Sequence, residues 1–162
     1  MDGVSFKLEV RGLDKLINDF KKAGVDYTGL LSQAMVKATT KLKNDMQSNL
    51  TSHGTSNTGE LRRSIQVREA TASRGVVAVG ESYGGPVEFG TKAHFPPVPA
   101  IERWAQTKLG KKGLGFIIAR KIARVGTKAQ PYVEPAYRSD SDFVLKQFDE
   151  ATAILVERMA GK

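Results

Sequence analysis

Apolar and polar residues recur with strand and helix periods along the first third of the chain. Alternation over residues 4–10 predicts a half-buried strand, and helical spacing over 13–20 predicts a short helix that Gly24 closes. Asp26 is a candidate N-cap for a longer helix that runs to about Leu50. The apolar stripe of this main packing helix consists of Leu30, Leu31, Ala34, Met35, Ala38, Leu42 and Met46.

A polar loop and a pair of strands are expected next. Residues 51–58 are rich in Ser, Thr, Gly and Asn, a composition that packs no core, so we expect an exposed loop. One helical turn over 59–64 leads into strands at 65–71 and 75–80, which a tight turn at 72–74 joins. The second strand, GVVAVG, is apolar enough to be covered on both faces.

Three helices are predicted in the second half of the chain, after a stretch rich in glycine and proline. Three prolines require an extended or turning connection over 94–99. Helical spacing then predicts helices at 100–109, 114–125 and 136–159. The residues expected to be buried in these helices are Ile101, Trp104, Ala105, Leu109, Ile117, Ile118, Ile122, Val125, Phe143, Val144, Phe148, Ala151, Leu155 and Met159.

Length and composition are those of one folded domain. The chain has 162 residues, of which 40% are hydrophobic and 26% are charged, and neither an internal repeat nor a long linker divides it. We therefore expect a single domain over 1–162. No apolar run approaches the roughly 18 residues of a membrane span, and no secretory signal pattern is present, so we expect no membrane partner.

The sequence offers no support for catalysis or for cofactor binding. Cysteine is absent, which excludes disulfides, thiol catalysis and thiolate metal sites. Gly54 and Gly59 have the spacing of a phosphate-binding loop, but Glu60 stands where such a loop needs lysine. We expect neither enzymatic activity nor a metal or cofactor. The remaining polar candidates lack the neighbours that catalysis or metal binding requires, and they are His53, His94, Ser64, Ser82, Glu81 and Glu88.

Positive charge is concentrated in one segment of the chain. From Lys92 to Lys128 nine basic residues accompany a single acid, Glu102, and this surplus equals the net charge of the whole chain, +8. The rest of the chain is therefore balanced. The nine basic residues are Lys92, Arg103, Lys108, Lys111, Lys112, Arg120, Lys121, Arg124 and Lys128.

Two interpretations of this basic segment stay open. Its lysines and arginines, placed opposite the apolar stripes of two predicted helices, form either a solvated face or an electropositive patch for DNA or an acidic protein. Aromatic residues are not interleaved with the charges, so a DNA contact would go through phosphates without sequence preference. The residues assigned to such a contact are Arg103, Lys108, Lys111, Lys112, Arg120, Lys121, Arg124 and Lys128.

Three stretches, taken in order, resemble one protein family. Residues 58–65 read TGELRRSI, residues 83–91 read YGGPVEFGT, and residues 130–136 read QPYVEPA. They are similar to the TGxLRxSI, VEFGT and QPFxxPA patterns of the HK97 gp10-like family of phage tail-component proteins. Order and spacing agree across most of the chain. The basic segment is a departure, because shorter family members pass almost directly from GT to QPF.

This resemblance implies both a fold and a function. The fold is α+β, in which a long helix packs on a small, mainly antiparallel sheet, with a basic helical insertion at 92–128 and a C-terminal helix. The function is that of a non-enzymatic virion protein of a tailed bacteriophage, made in the cytoplasm of the host bacterium. It would act as a neck, head–tail connector or tail-completion subunit, usually in a ring, next to connector, tail-terminator or tail-tube proteins.

Structural roles are expected for most residues of the three motifs. Gly90 should take a backbone conformation closed to bulkier residues, and Pro131 and Pro135 should fix the approach to the last helix. The side chains expected in the core are Leu61, Ile65, Phe89 and Tyr132. The motif residues assigned a structural role are Gly59, Leu61, Ser64, Phe89, Gly90, Thr91, Pro131 and Pro135.

Subunit contacts are expected from charged motif residues and from the polar loop. A ring interface is heterologous and brings different surfaces together, so opposite charges can pair across it. Intramolecular or solvated charges are the alternative. The loop at 51–58 either orders on meeting a neighbouring subunit or serves as a plain connection. The candidate interface residues are Arg62, Arg63 and Glu88.

Three hypotheses of function follow from these observations. The leading one is a structural virion subunit of the phage neck or tail, and the second is a non-specific nucleic-acid-binding protein that acts through residues 92–128. The insertion could bind a partner protein or face DNA in the lumen of a ring. An enzyme of phage morphogenesis or lysis is the third and least favoured hypothesis.

Overall fold

A computed structural model describes residues 4–52 and 59–161, and it confirms the α+β class that the sequence predicts. A small sheet is joined by long helices, one of which ends the described chain. The strands are β1 (Val4–Leu8), β2 (Ile65–Ala70) and β3 (Gly75–Val79). The helices are α1 (Leu13–Lys22), α2 (Thr28–Ser52), α3 (Glu60–Ser64), α4 (Gly84–Phe89), α5 (Val98–Leu109), α6 (Gly115–Val125) and α7 (Val133–Ala160).

The sheet is antiparallel, and β3 lies at its centre between β1 and β2. Val77 of β3 is opposite Phe6 on one side and Val67 on the other. The register of β2 shifts after Val67, so one residue of β2 bulges out of the ladder. The central position explains the apolar sequence of β3, almost all of which is buried.

Helix α2 is the centre of the hydrophobic core. One apolar cluster joins the first half of α2 to α1 and to the second half of α7, and a second cluster joins the rest of α2 to the sheet and to the start of α7. The predicted stripe of α2 is buried, with Leu30 partly exposed at its edge. The largest fully buried apolar side chains are Tyr132, Leu31, Met35, Met46, Leu50, Ile65, Leu155, Val77 and Val79.

The predicted boundary between the first two helices is confirmed. Gly24 has a φ of 67°, and the N–H of Val25 donates to the carbonyl of Phe20 at 3.1 Å, which closes the end of α1. The Asp26 carboxylate then accepts the N–H of Thr28 at 3.0 Å and caps the start of α2.

Three elements differ from the prediction. A short helix, α4, forms in the stretch rich in glycine and proline, where no helix was predicted. Helix α5 begins at Val98, inside the connection expected over 94–99, because Pro99 lies in its first turn, where proline is tolerated. Helix α7 begins at Val133, three residues before the expected start at 136. Pro135 therefore lies in the first turn of α7, where a missing N–H costs no hydrogen bond.

A charged contact crosses the interface between α2 and α7. Asp140 of α7 is 1% exposed, and its Oδ1 accepts a hydrogen bond from Nζ of Lys41 at 2.9 Å. Lys41 also pairs with Asp45 on its own helix. Burial raises the pKa of Asp140, whereas hydrogen bonds to Asp45 and Asp140 raise the pKa of Lys41. A sliding of α7 along α2 would leave the buried carboxylate unpaired, so this contact helps to fix their register.

Candidate functional site

A buried glutamate connects the two ends of the basic insertion. Glu88 lies in α4, just before the insertion, and is 3% exposed. Its Oε2 accepts the N–H groups of Tyr132 at 2.7 Å and Val133 at 2.9 Å, and its Oε1 accepts the N–H of Glu134 at 3.0 Å. The Glu88 carboxylate therefore caps the N-terminus of α7, where free N–H groups and the helix dipole favour negative charge.

This geometry changes the role assigned to Glu88. Its carboxylate is buried and is bonded within the chain, so we assign it to intramolecular capping and no longer to a subunit contact. Arg62 and Arg63, the other two candidates, are exposed at the end of α3, where another subunit could reach them. The structure thus separates the three candidates into one internal and two surface residues.

The same joint is packed around Tyr132, the residue just before α7. The Tyr132 ring is fully buried against the sheet, and its hydroxyl donates to the carbonyl of Gly84 at 3.3 Å. A Cβ at Gly84 would come within 3.0 Å of that hydroxyl and would overlap Val79. Burial, together with the charge of Glu88, raises the pKa of Tyr132 and keeps the hydroxyl protonated as a donor. The second and third sequence motifs therefore form one packed unit.

Two glycines allow the ends of the insertion to touch. Gly90 and Gly126 have φ values of 71° and 72°, and a Cβ at either would collide with the backbone of the opposite segment. Between them, Thr91 and Thr127 exchange backbone hydrogen bonds of 3.1 and 3.2 Å, and their hydroxyls lie 3.0 Å apart. The conformation predicted for Gly90 is confirmed. Because the rest of the fold, which we call the body, holds both ends of the insertion together, the insertion can vary in length at small entropic cost.

Within the insertion, the single acidic residue holds the two helices together. The Glu102 carboxylate of α5 accepts the N–H groups of Gly113 and Gly115, each at 2.6 Å, and so caps the start of α6. Gly115 lacks a side chain because a Cβ would overlap Glu102. A hydrogen bond from Gln106, and then the two glycine amides, hold the pKa of Glu102 below its usual range.

Several apolar residues predicted to be buried are exposed instead. Ala105 and Ala119 are fully buried, and Ile118 and Ile122 are partly buried, because α5 and α6 pack chiefly against each other. One helix covers only a narrow strip of its neighbour, which leaves the remainder of each apolar stripe uncovered. In the insertion, the burial prediction was wrong for Trp104, Leu109, Ile117 and Val125. It was also wrong for Phe89 of α4 and Met159 of α7.

All eight basic residues assigned to partner contact are exposed. On α6, Arg120 and Arg124 lie on the outward face together with Phe116 and Ile117, whose side chains are 56% and 60% exposed. The Phe116 ring also contacts that of Phe95, with centroids 6.2 Å apart. Basic and apolar side chains are therefore interleaved on this surface, and the predicted separation onto opposite faces is wrong.

The remaining motif residues occupy ordinary structural positions. Leu61 and Ile65 lie in the core, as predicted. The Ser64 hydroxyl donates to the carbonyl of Leu61 at 2.8 Å, and Gly59 precedes α3 with a φ of 74°. The polar loop predicted at 51–58 lies outside the described residues, except for its first two residues, which extend α2.

Residues that could hold a metal or cross a membrane were also sought in the described chain. Over 4–52 and 59–161, no group of three or more His, Asp or Glu side chains could bind a metal ion. No helix in these two ranges has the combined length and hydrophobicity that a bilayer crossing requires.

The cap at the base of the insertion is expected to contribute strongly to stability. Glu88→Ala would leave two buried N–H groups and one partly buried N–H group without an acceptor, and we expect it to lower the free energy of unfolding by about 2–4 kcal/mol. Glu134→Ala, a matched control at an exposed glutamate of the same joint, should cost less than about 1 kcal/mol. Urea unfolding at neutral pH measures both. Equal costs in the two variants would contradict the capping role.

The Glu102 contact is expected to depend on pH. Because its folded-state pKa is lowered, the stabilisation is present above the usual glutamate pKa of about 4.3 and is lost as pH falls through the lowered value. The amide NMR signals of Gly113 and Gly115 should therefore titrate with a midpoint below about 4.3, and Glu102→Gln should abolish the titration. The amide of Gly110, which donates to the carbonyl of Gln106, is the control and should not follow this transition. A midpoint at or above the usual value would contradict the contact.

Comparison with known proteins found a similarity, which covers the part of the chain that precedes the insertion. Residues 14–90 match the family model described as "Bacteriophage HK97-gp10, putative tail-component". No match was found among curated proteins or among solved structures. The matched range runs from α1 to the end of α4 and stops at Gly90, immediately before the bridge that closes the insertion. The resemblance seen in the sequence is thus confirmed over residues 14–90, which are similar to the HK97-gp10-like bacteriophage tail components.

Proposed function

We propose that the chain is a structural subunit of the neck of a tailed bacteriophage, where a ring of copies completes the tail and joins it to the head. The match of residues 14–90 to the model of a family of tail components supports a structural role in the virion. In this proposal the chain has no enzymatic activity, and its partners are copies of itself and the connector, tail-terminator or tail-tube proteins on either side.

The observation that carries this proposal is the surface of the insertion. Exposed apolar side chains are grouped there with a surplus of eight positive charges over residues 92–128, which contain a helix pair that packs chiefly against itself. Exposed apolar patches next to charged residues are typical of protein contact surfaces. The helix pair joins the body through the Thr91–Thr127 bridge. It can therefore present such a surface without disturbing the hydrophobic core of the body.

A ring also suits the charge distribution of the chain. The insertion is strongly positive, whereas the rest of the chain is balanced, so the two regions present unlike surfaces. Unlike surfaces that meet head to tail generate a heterologous interface, and such interfaces close into rings when the rotation allows it. Arg62 and Arg63 remain candidates for ion pairs in that interface.

Assembly into a closed ring is the first expected result. Purified chain should give a mass of several subunits by light scattering, and negative-stain images of the same sample should show rings with a central opening. A phage that lacks the coding sequence should produce filled heads and tails that remain separate. Joined, infectious particles without the chain would contradict the proposal.

Non-specific DNA binding is the second candidate function, and the exposed lysines favour it. Binding through phosphates weakens with salt, with a slope of about −0.9 for each phosphate contacted. The variant Lys111→Gln/Lys112→Gln should therefore flatten the slope by up to about 2. The matched control is Lys21→Gln/Lys22→Gln, an adjacent exposed lysine pair at the end of α1, which should leave the slope unchanged. Fluorescence anisotropy with a mixed-sequence duplex measures both slopes, and equal slopes would remove DNA binding as a function of the insertion.

A further inference from the structure

The outward face of α6 is left largely uncovered by the rest of the insertion, although the Phe116 ring contacts that of Phe95. Phe116 and Ile117 are more than half exposed, and Arg120, Lys121 and Arg124 follow on the same side of the helix. The buried side of α6 is already used by α5. This face therefore presents apolar and positively charged side chains together. A complementary binding surface would carry apolar and acidic side chains.

A surface with those two properties lies on α7. This helix contains six acidic and three basic residues, and its exposed large apolar side chains include Tyr137, Leu145 and Val156, at 58%, 53% and 56% exposure. Asp142 and Asp149 are exposed and stand three residues before and four residues after Leu145, so a helical repeat places them beside it. The exposed flank of α7 thus carries apolar side chains with Asp142 and Asp149 beside them. The exposed basic residues Arg138 and Lys146 form ion pairs with Glu134 and Glu150 on the same helix.

The spacing of the two surfaces is similar. On α6, Arg120 and Arg124 lie three and seven residues after Ile117, and on α7, Leu145 and Asp149 lie three and seven residues after Asp142. Both sets therefore occupy one helix face over two turns. A cleft of about 360 Å³ beside Tyr137 and Leu145, between α7 and residues 8–11, could receive an aromatic or branched side chain from the opposite helix.

Charge determines which copy of the chain can supply each surface. Two insertions brought together across a two-fold axis would each carry a surplus of eight positive charges and would repel. The insertion and α7 differ in sign and can attract. Contact between them on different copies is heterologous, which is the kind of interface that a ring requires.

We propose that the outward face of α6 in one subunit docks on the Tyr137–Asp149 flank of α7 in the next subunit. This inference rests on the proposed function, because it identifies the two surfaces that form the subunit contact of the ring. Ile117 and Leu145 lie near the centre of the contact, and Arg120 and Arg124 pair with Asp142 and Asp149.

Disulfide cross-linking tests the contact directly, because the natural chain has no cysteine. Single variants Ile117→Cys and Leu145→Cys, mixed and oxidised, should give a dimer, whereas each variant alone should stay uncross-linked. The double variant in one chain should give a ladder of cross-linked species on a denaturing gel. The control pairs Ile117→Cys with Ser73→Cys, an exposed position in the turn between β2 and β3, and should give no dimer.

Charge reversal gives a second, independent readout. Arg120→Glu/Arg124→Glu should abolish the ring, as should Asp142→Arg/Asp149→Arg, and the chain that carries all four changes should form it again. Circular dichroism of each variant shows whether the subunit is folded. Restoration by the four changes together is the expected result, since a change that merely damaged folding would not be rescued.

The outcomes separate this contact from the proposed function. Rings that form in the natural chain without the cross-link between positions 117 and 145, or that survive charge reversal, would overturn the contact and leave the neck role standing. Cross-linking of Ile117→Cys with itself, or an absence of any cross-link at high protein concentration, would also overturn it. Joined, infectious phage particles made without the chain would defeat the neck role, whatever the cross-links show.

Discussion

The Glu88 carboxylate provides the contact on which the arrangement of the second half of the chain depends. It accepts the N–H groups of Tyr132, Val133 and Glu134 at the start of α7 from a position in α4, on the other side of the insertion. Helix α7 in turn covers α2 along both core clusters. A buried carboxylate without donors and a buried helix start without acceptors are both costly, so each stabilises the other. The body can therefore close around α2 whatever lies between Gly90 and Gly126.

The same contact explains where the sequence was a poor guide. The spacing of apolar residues predicted α1, α2 and the three strands, since those elements are bounded by local signals such as Gly24 and Asp26. The start of α7 was placed three residues late because its cap comes from a residue more than forty positions earlier, and no local pattern encodes that distance. The sequence did hint at a distant cap. Tyr132 and its neighbours do not include the Ser, Thr, Asp or Asn that usually caps a helix N-terminus locally.

Burial in the insertion could not be predicted for a different reason. Periodicity shows which residues share a helix face, but it does not show how wide a surface will cover that face. In α6, Ile118 and Ile122 meet α5, whereas Ile117 and Val125 remain exposed beside them. The predicted stripe was right for packing on a broad core and wrong for packing on one narrow helix. The proposed subunit contact rests on these uncovered apolar residues, because exposed apolar patches beside charged residues are typical of contact surfaces.

The distribution of charge along the insertion relates the two candidate functions to each other. Six of the nine basic residues form two groups, one around the turn between α5 and α6, at Lys108, Lys111 and Lys112, and one on the outward face of α6. Burial of the second group against an acidic helix would leave the first group exposed to another anionic partner. Rotation about a ring axis would repeat those lysines in a circle, and a circle of positive charge attracts DNA without reading its sequence. Subunit contact and DNA contact then require different lysines and arginines of the same insertion, so one does not exclude the other.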